Sequence, residues 1–302
     1  MQTALLILPN FVLILAGWLL ARRFDYGRGF WEGLEKLVYF VLFPALLLRS
    51  IALSTLDLGG LVALAASAAG LMLLGMALSG MAGRLFAVDR RIAASCFQCG
   101  FRFNTYVGFA VVGSLFGSEG LAKAAIMFGA VIPLANIGAV GMLAVNARTN
   151  FWLEIARNPL LLATVAGFAW NLTGIGMPRF LDQTLDLLGQ AALSAGLLAV
   201  GAALRVAHGA APLAAHAWWL AVKLLAMPLA ALIVVLAAGF SGVEAGVLVS
   251  WAALPTASSA YILAVRMGGD GESVATQITV GTLLAMATLP AWMAILAFAT
   301  TR

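Results

Sequence analysis

Charge is what this sequence has least of. Lysine, arginine, aspartate and glutamate make up only 10% of its 302 residues, where a soluble domain carries about 25%. So few charged groups cannot clothe a globular surface, and the 63% of hydrophobic residues points to lipid as the solvent. No polar stretch long enough for a soluble domain separates the apolar segments, which excludes catalysis in an appended domain. Histidine and cysteine are also scarce, two of each. Cys96 and Cys99 form a CxxC pair, but zinc or redox use needs a second ligand pair or a βαβ setting. Both thiols fall in an apolar helix, where they read as packing. His208 and His216 sit in or beside one loop, where solvation is the expected role. The sequence contains no HExxH, no buried His–Asp pair and no paired aspartates. An intramembrane enzyme would lack its nucleophile, base or metal cluster, so the chain reads as no enzyme.

Apolar segments are abundant. Ten of them, each near the roughly 20 residues that a membrane crossing needs, run approximately over 3–21, 34–53, 60–83, 91–116, 120–146, 159–176, 183–205, 215–239, 243–266 and 273–299. The first lacks a positive n-region and a small-residue cleavage site, so it reads as a span and not as a removed signal peptide. The net charge of +5 is read as loop charge that orients the chain, not as a nucleic-acid surface. Eleven basic residues fall in the loops after odd-numbered spans: Arg22, Arg23, Arg28, Lys36, Arg84, Arg90, Arg91, Arg148, Arg157, Arg205 and Arg266. Four fall on the other side: Arg49, Lys123, Arg179 and Arg302. This bias puts the odd loops in the cytoplasm and both termini outside, in a multi-pass membrane protein.

Five spans plus five spans make two halves of opposite topology, 1–149 and 150–302, divided near Asn150–Asn158. Asn104 precedes Glu119 by the same 15 residues that separate Pro255 from Asp270, one in span 4 and one in span 9. Inverted repeats of this kind are the usual plan of secondary transporters, with the site near the midplane.

Spans 4 and 9 are unlike the others. Span 4 carries Gln98, Arg102, Asn104, Thr105 and Tyr106, and span 9 carries Pro255, Thr256, Ser258 and Ser259. Pro255 removes a helix hydrogen bond and clashes with the preceding turn, and Asn, Ser and Thr are the residues that cap a new helix start. Both spans are expected to unwind near Asn104 and Pro255. Broken helices at membrane depth survive only inside protein or beside a wet cavity. Their second halves would aim free N–H groups and positive dipole ends at an anion, and the carbonyls of their first halves could hold a cation beside it. The plain alternative is a proline kink, with hydroxyls bonded back to their own helix.

Arg102 is a charge at mid-membrane that needs a partner. The acids all lie in loops or near span ends; Asp186, near the start of span 7, is the deepest. Arg102 therefore either meets a substrate carboxylate or bonds to the oxygens freed at the break. Gln98, Asn136, Asp186 and Gln277 are the candidate coupling-ion or pathway residues, and sodium, a proton or no coupling ion all fit. No cofactor is called for. Lys223, preceded by Trp218-Trp219 and followed five residues later by Pro228, is expected to snorkel to the interface, with a pathway role as the alternative. Gly70, Gly75, Gly80 and Gly83 mark a face for close helix packing.

The stretches Gly100–Gly108 (GFRFNTYVG) and Ala253–Tyr261 (ALPTASSAY), with Met267-Gly268-Gly269-Asp270, Asn158-Pro159-Leu160 and Leu187-Leu188-Gly189-Gln190-Ala191-Ala192, resemble the bacterial auxin efflux carrier family over essentially the whole chain. The resemblance implies an all-α, ten-helix inverted-repeat fold shared with the bile-acid sodium symporters. Helices 1, 2, 6 and 7 would form a scaffold and dimer interface. Helices 3–5 and 8–10 would form a moving transport domain, with helices 4 and 9 crossing as broken helices. It further implies elevator-type transport of a mono- or dicarboxylate such as malonate, malate or an auxin-like acid. Asn104 and Pro255 would be the crossover positions. The sequence departs from the plant pattern in lacking proline beside Asn104 and a long polar central loop. A carboxylate sensor without transport is the competing function.

Overall fold

The computed structural model describes residues 2–24, 26–54, 58–143, 158–205 and 209–300. Among them every regular element is helical and there is no strand. In chain order the α-helices are α1 (Gln2–Arg23), α2 (Gly27–Leu37), α3 (Phe43–Ala52), α4 (Leu58–Gly80), α5 (Ala82–Leu85), α6 (Arg90–Phe97), α7 (Thr105–Leu143), α8 (Pro159–Leu172), α9 (Arg179–Ala203), α10 (Leu213–Ala221), α11 (Met227–Ala238), α12 (Gly242–Ala252), α13 (Ser259–Arg266) and α14 (Gly271–Thr300). A π-helical turn, Val38–Leu42, joins α2 to α3, and another, Val222–Ala226, joins α10 to α11. Each π turn lies just before a proline, Pro44 and Pro228. A missing N–H leaves a carbonyl one turn earlier without its helical donor. In the second case that carbonyl, of Leu224, accepts from Trp292 Nε1 at 2.9 Å.

Among the described residues six helical stretches are long and apolar enough to cross a membrane: Leu5–Arg23, Gly59–Leu85, Arg90–Leu143, Arg179–Ala203, Leu213–Ala238 and Gly271–Thr300. Helices α8 and α12 are shorter apolar segments. Ten segments were expected from the sequence, and the helices divide the chain differently. Segments 4 and 5 share the stretch Arg90–Leu143, whose 54 residues as one rod would reach ~80 Å, far past a hydrocarbon core of roughly 30 Å. That stretch is interrupted between Phe97 and Thr105 and bent at Gly117, whose φ of 58° favours glycine. Segment 2 begins earlier than expected, at Gly27, and its first turns hold Glu32, Glu35 and Lys36. Segment 9 is split into α12 and α13. Large apolar side chains such as Leu6, Leu73, Leu162, Val165, Leu187 and Ile233 remain exposed on the rods, which suits lipid and not water. This is a multi-pass membrane protein.

The helices associate through small residues and buried rings. Helix α1 runs along α9, and α3 packs on α8 and α9. A Cβ on Gly201 would overlap the Ile14 carbonyl, and one on Gly17 the Leu198 carbonyl, so only glycine lets these two backbones touch. Helix α7 lies on α4 and α12, and α12 lies between α11 and α14. On the glycine face expected in span 3, Gly75 meets Met227 and Phe101, whereas Gly70 faces open space. Among the described glycines the tightest contact with another helix's backbone is between α1 and α9 instead.

Polar links fasten the ends. Arg49 pairs with Asp182 at 2.6 Å and Asp186 at 2.9 Å, and Lys123 with Glu244 at 2.9 Å. Arg91 donates to the carbonyls of Gly268 at 2.9 Å and Gly269 at 3.1 Å. Thr279 exchanges hydrogen bonds with the Arg205 backbone. The expected divider at Asn150, the boundary at 149, and Arg148, Arg157, His208 and Arg302 lie outside the described residues.

Candidate functional site

Helix α6 begins on Asp89, whose carboxylate caps the N–H groups of Arg91 and Ile92. After a 3-10 turn, Gln98–Gly100, the chain is non-helical to Asn104 and then enters α7. Asn104 is the N-cap of that second helix: its Oδ1 accepts from Tyr106 N at 3.1 Å and Val107 N at 3.2 Å, and its carbonyl takes the N–H of Gly108 at 2.9 Å. The other interruption lies between Ala252 and Ser259, around Pro255.

The two interruptions touch. The Asn104 N–H donates to the Pro255 carbonyl at 2.8 Å. Thr256 Oγ1 donates to the Cys99 carbonyl at 2.9 Å, and Gln98 Nε2 donates to the Ala260 carbonyl at 3.1 Å. Each bond joins one broken segment to the other, and Gln98, Asn104 and Thr256 are all buried. A floor of rings lies beneath, with Phe103 between Phe128 (centroids 4.8 Å apart) and Trp251 (5.7 Å apart).

Arg102 spans from this junction to α7. Its guanidinium donates to Gln98 Oε1 at 2.9 Å and Asn136 Oδ1 at 2.6 Å. Both acceptors are neutral amides. Among the described residues no carboxylate lies within ion-pair distance of Arg102, so its charge is hydrogen-bonded but not neutralised.

Arg102, Asn104, Thr105, Tyr106, Asn136, Ser258 and Ser259 all line one cavity of about 820 Å³. Tyr106 is held there by stacking on Phe43, with centroids 5.0 Å apart and planes 6° apart. Pro255, Thr256 and Gln98 stand behind the wall, buried. Two of the expected residues stay apart from it. Asp186 pairs with Arg49 and accepts from Gln190 at 2.8 Å. Gln277 is bonded to His216, at 2.8 Å to the ring and 3.0 Å to the carbonyl. His216 is itself buried, where solvation was expected.

The geometry also changes the expected chemistry. Asn104 has already taken the N–H groups of Tyr106 and Val107. The first turn of α7 therefore offers a dipole but few free donors, and Arg102 is the stronger attraction for an anion. Residues not singled out from the sequence also line the cavity: Glu32, Glu35, Tyr39 and Asn158, with Lys36 and Arg266, which had been counted only as loop charge. The run Glu32-x-x-Glu35-Lys36 was the signal for three of them, and it reads equally as an exposed first turn, while Asn158 stood out only in the stretch Asn158-Pro159-Leu160. Asn158 also caps α8, accepting from Leu160 N at 3.0 Å and Leu161 N at 3.3 Å.

Residues 142–293 match the family model described as membrane transport protein. No curated protein matches the chain.

Proposed function

From the chain's membership of the auxin efflux carrier family of membrane transport proteins, we propose that it is a secondary active carrier of a small organic anion. The substrate is a mono- or dicarboxylate, of the size of malonate, malate or an auxin-like acid, and it binds in the cavity at the junction of the two interrupted segments. The observation that carries this reading is the guanidinium of Arg102, which faces the cavity with only amide partners. Arg102 is half-buried, and a cation held within the membrane without a counter-ion favours a ligand that brings one. Asn104, Thr105, Tyr106, Ser258 and Ser259 supply neutral hydrogen-bond partners around it, and Pro255 and Thr256 hold the junction together.

The fold is read as ten spans in two inverted halves, 1–149 and 150–302. The polar links support it, since each joins two ends of the same side. Arg49 with Asp182 and Lys123 with Glu244 tie even-numbered loops, whereas Arg91 with Gly268 and Arg205 with Thr279 tie odd-numbered ones. The loop charge puts the odd side in the bacterial cytoplasm and both termini outside. The cavity wall includes Lys36 and Arg266, both of the odd side, so this conformation faces inward. Helices α1, α2–α3, α8 and α9 form a scaffold, which also serves as the interface of a homodimer. The remainder moves across it as an elevator.

Uptake of labelled carboxylates into proteoliposomes tests the reading. Saturable flux of at least one carboxylate is expected. Measurable carboxylate binding without any flux would replace the carrier with a sensor.

A further inference from the structure

Lys223 does not snorkel. It lies in the π turn Val222–Ala226, midway along the rod Leu213–Ala238, and is only 2% exposed. Its ammonium points to the protein interior, donates to the Ala252 carbonyl at 2.9 Å, and stands 5.9 Å from the centroid of the Trp251 ring. Among the described residues no carboxylate pairs with it. An ammonium buried without a counter-ion is costly, and something must compensate.

The compensation is the place where the ammonium sits. Ala252 is the last residue of α12. Its carbonyl belongs to the helix end that lacks internal donors and carries the negative pole of the dipole. In an unbroken helix this carbonyl would take the N–H four residues on, but the helix ends at Ala252 and the chain runs non-helical through Pro255. The indole face of Trp251 adds a weak attraction for the cation. The corresponding end of the other interrupted segment is served differently. There the Phe97 carbonyl accepts from Ser79 Oγ at 2.5 Å and the Cys99 carbonyl from Thr256 Oγ1 at 2.9 Å. Side-chain donors of the chain itself therefore occupy these three carbonyls at the two breaks, and of those donors only Lys223 is charged.

We propose that the Lys223 ammonium is the resident cation of the second break, held where a free inorganic cation would otherwise bind, so that the carrier cycles without sodium. The inference rests on the transport reading above and deepens it, because it assigns the coupling chemistry of the same junction. The π turn is part of the device. With Pro228 unable to donate, the turn is fixed by Trp292 on the Leu224 carbonyl, and Lys223 is presented to Ala252 by a rigid element.

The test is thermal unfolding of the purified protein in sodium, choline or methylammonium chloride at matched ionic strength. The native protein should unfold at the same temperature in all three. Lys223→Ala should unfold several degrees lower and regain part of the loss as sodium or methylammonium is added, since a ligand that binds only the folded state stabilises it. Lys223→Gln keeps a neutral donor near Ala252. It serves if the alanine variant does not fold, and it should respond to cations in the same direction. Stabilisation of the native protein by sodium beyond choline would overturn the proposal, as would variants that respond to cations no more than the native protein does. None of these readings needs a substrate. A failure of all carboxylate flux would remove the carrier reading and leave the cation result interpretable, and the converse holds for failure here.

Discussion

Arg102 and Asn104 do different work although one residue separates them. Arg102 provides charge to the cavity, and Asn104 provides the geometry of the helix start. Arg102→Gln keeps a polar group beside Gln98 and Asn136 but removes the charge. Hydrogen bonds to charged groups contribute about 1.5–3 kcal/mol, so carboxylate uptake should fall about tenfold or more while the unfolding temperature moves little. Equal uptake by the variant and the native protein would place the anion elsewhere. For Asn104 two substitutions separate shape from charge. Asn104→Ala deletes the cap on Tyr106 N and Val107 N, a loss of about 1 kcal/mol that should lower the unfolding temperature by a few degrees. Asn104→Asp retains an equally good capping oxygen but puts a negative charge at the cavity wall. Its cap is retained, so its uptake of anions should collapse for reasons of charge and not of helix geometry. If Asn104→Asp transports normally, the wall at this point does not meet the substrate's charge.

Two kinds of packing hold the helices, and they fail differently. At the junction the bonds are few and buried. Thr256→Val leaves the Cys99 carbonyl without its donor, at a cost of roughly 1–3 kcal/mol. At the α1–α9 contact the backbones meet directly. Gly201→Ala would drive a methyl into the Ile14 carbonyl, forcing the helices apart at a cost of about 1–3 kcal/mol. Gly141→Ala, in α7, meets nothing within 4 Å and should be neutral or slightly stabilising, as alanine is the better helix former. A thermal series ranking Gly201→Ala no lower than Gly141→Ala would disprove the close contact. How much of this was legible in the sequence follows from the same contrast. Pro255 and Asn104 announce interruptions because their backbone and side-chain chemistry is local. The contacts of Gly17 with Leu198 and of Gly201 with Ile14 join residues far apart in the chain, and a single glycine in an apolar run carries no mark of what faces it. Lys223 misled for a related reason. Hydropathy counts a charge, but whether it turns to the interface or to a helix end depends on the π turn and on Ala252, neither of which the local sequence specifies. The satisfied first turn of α7 was hidden in the same way, since an asparagine at a break reads as a ligand for substrate and as a cap alike.

The links between ends, the loop charge and the cavity bear jointly on how the molecule sits in its membrane. If odd-numbered loops are cytoplasmic, a side chain in the cavity wall is reached from inside in this conformation, and one in the loop before α12 is reached from outside. Ser259 is exposed and lines the cavity, and Ser241 is exposed just before α12. Both native thiols, Cys96 and Cys99, are buried, so a membrane-impermeant maleimide should react slowly with the unmodified protein. Ser259→Cys is then expected to label in inside-out vesicles and resist labelling in intact cells. Ser241→Cys should show the reverse. A carboxylate that occupies the cavity should slow labelling of Ser259→Cys and leave Ser241→Cys unaffected, because only the former shares space with the anion. Reversal of the two patterns would invert the orientation and make the cavity outward-facing. Labelling of both from one side would break the alternation of spans, and with it the pairing of ends on which the inverted-repeat reading depends.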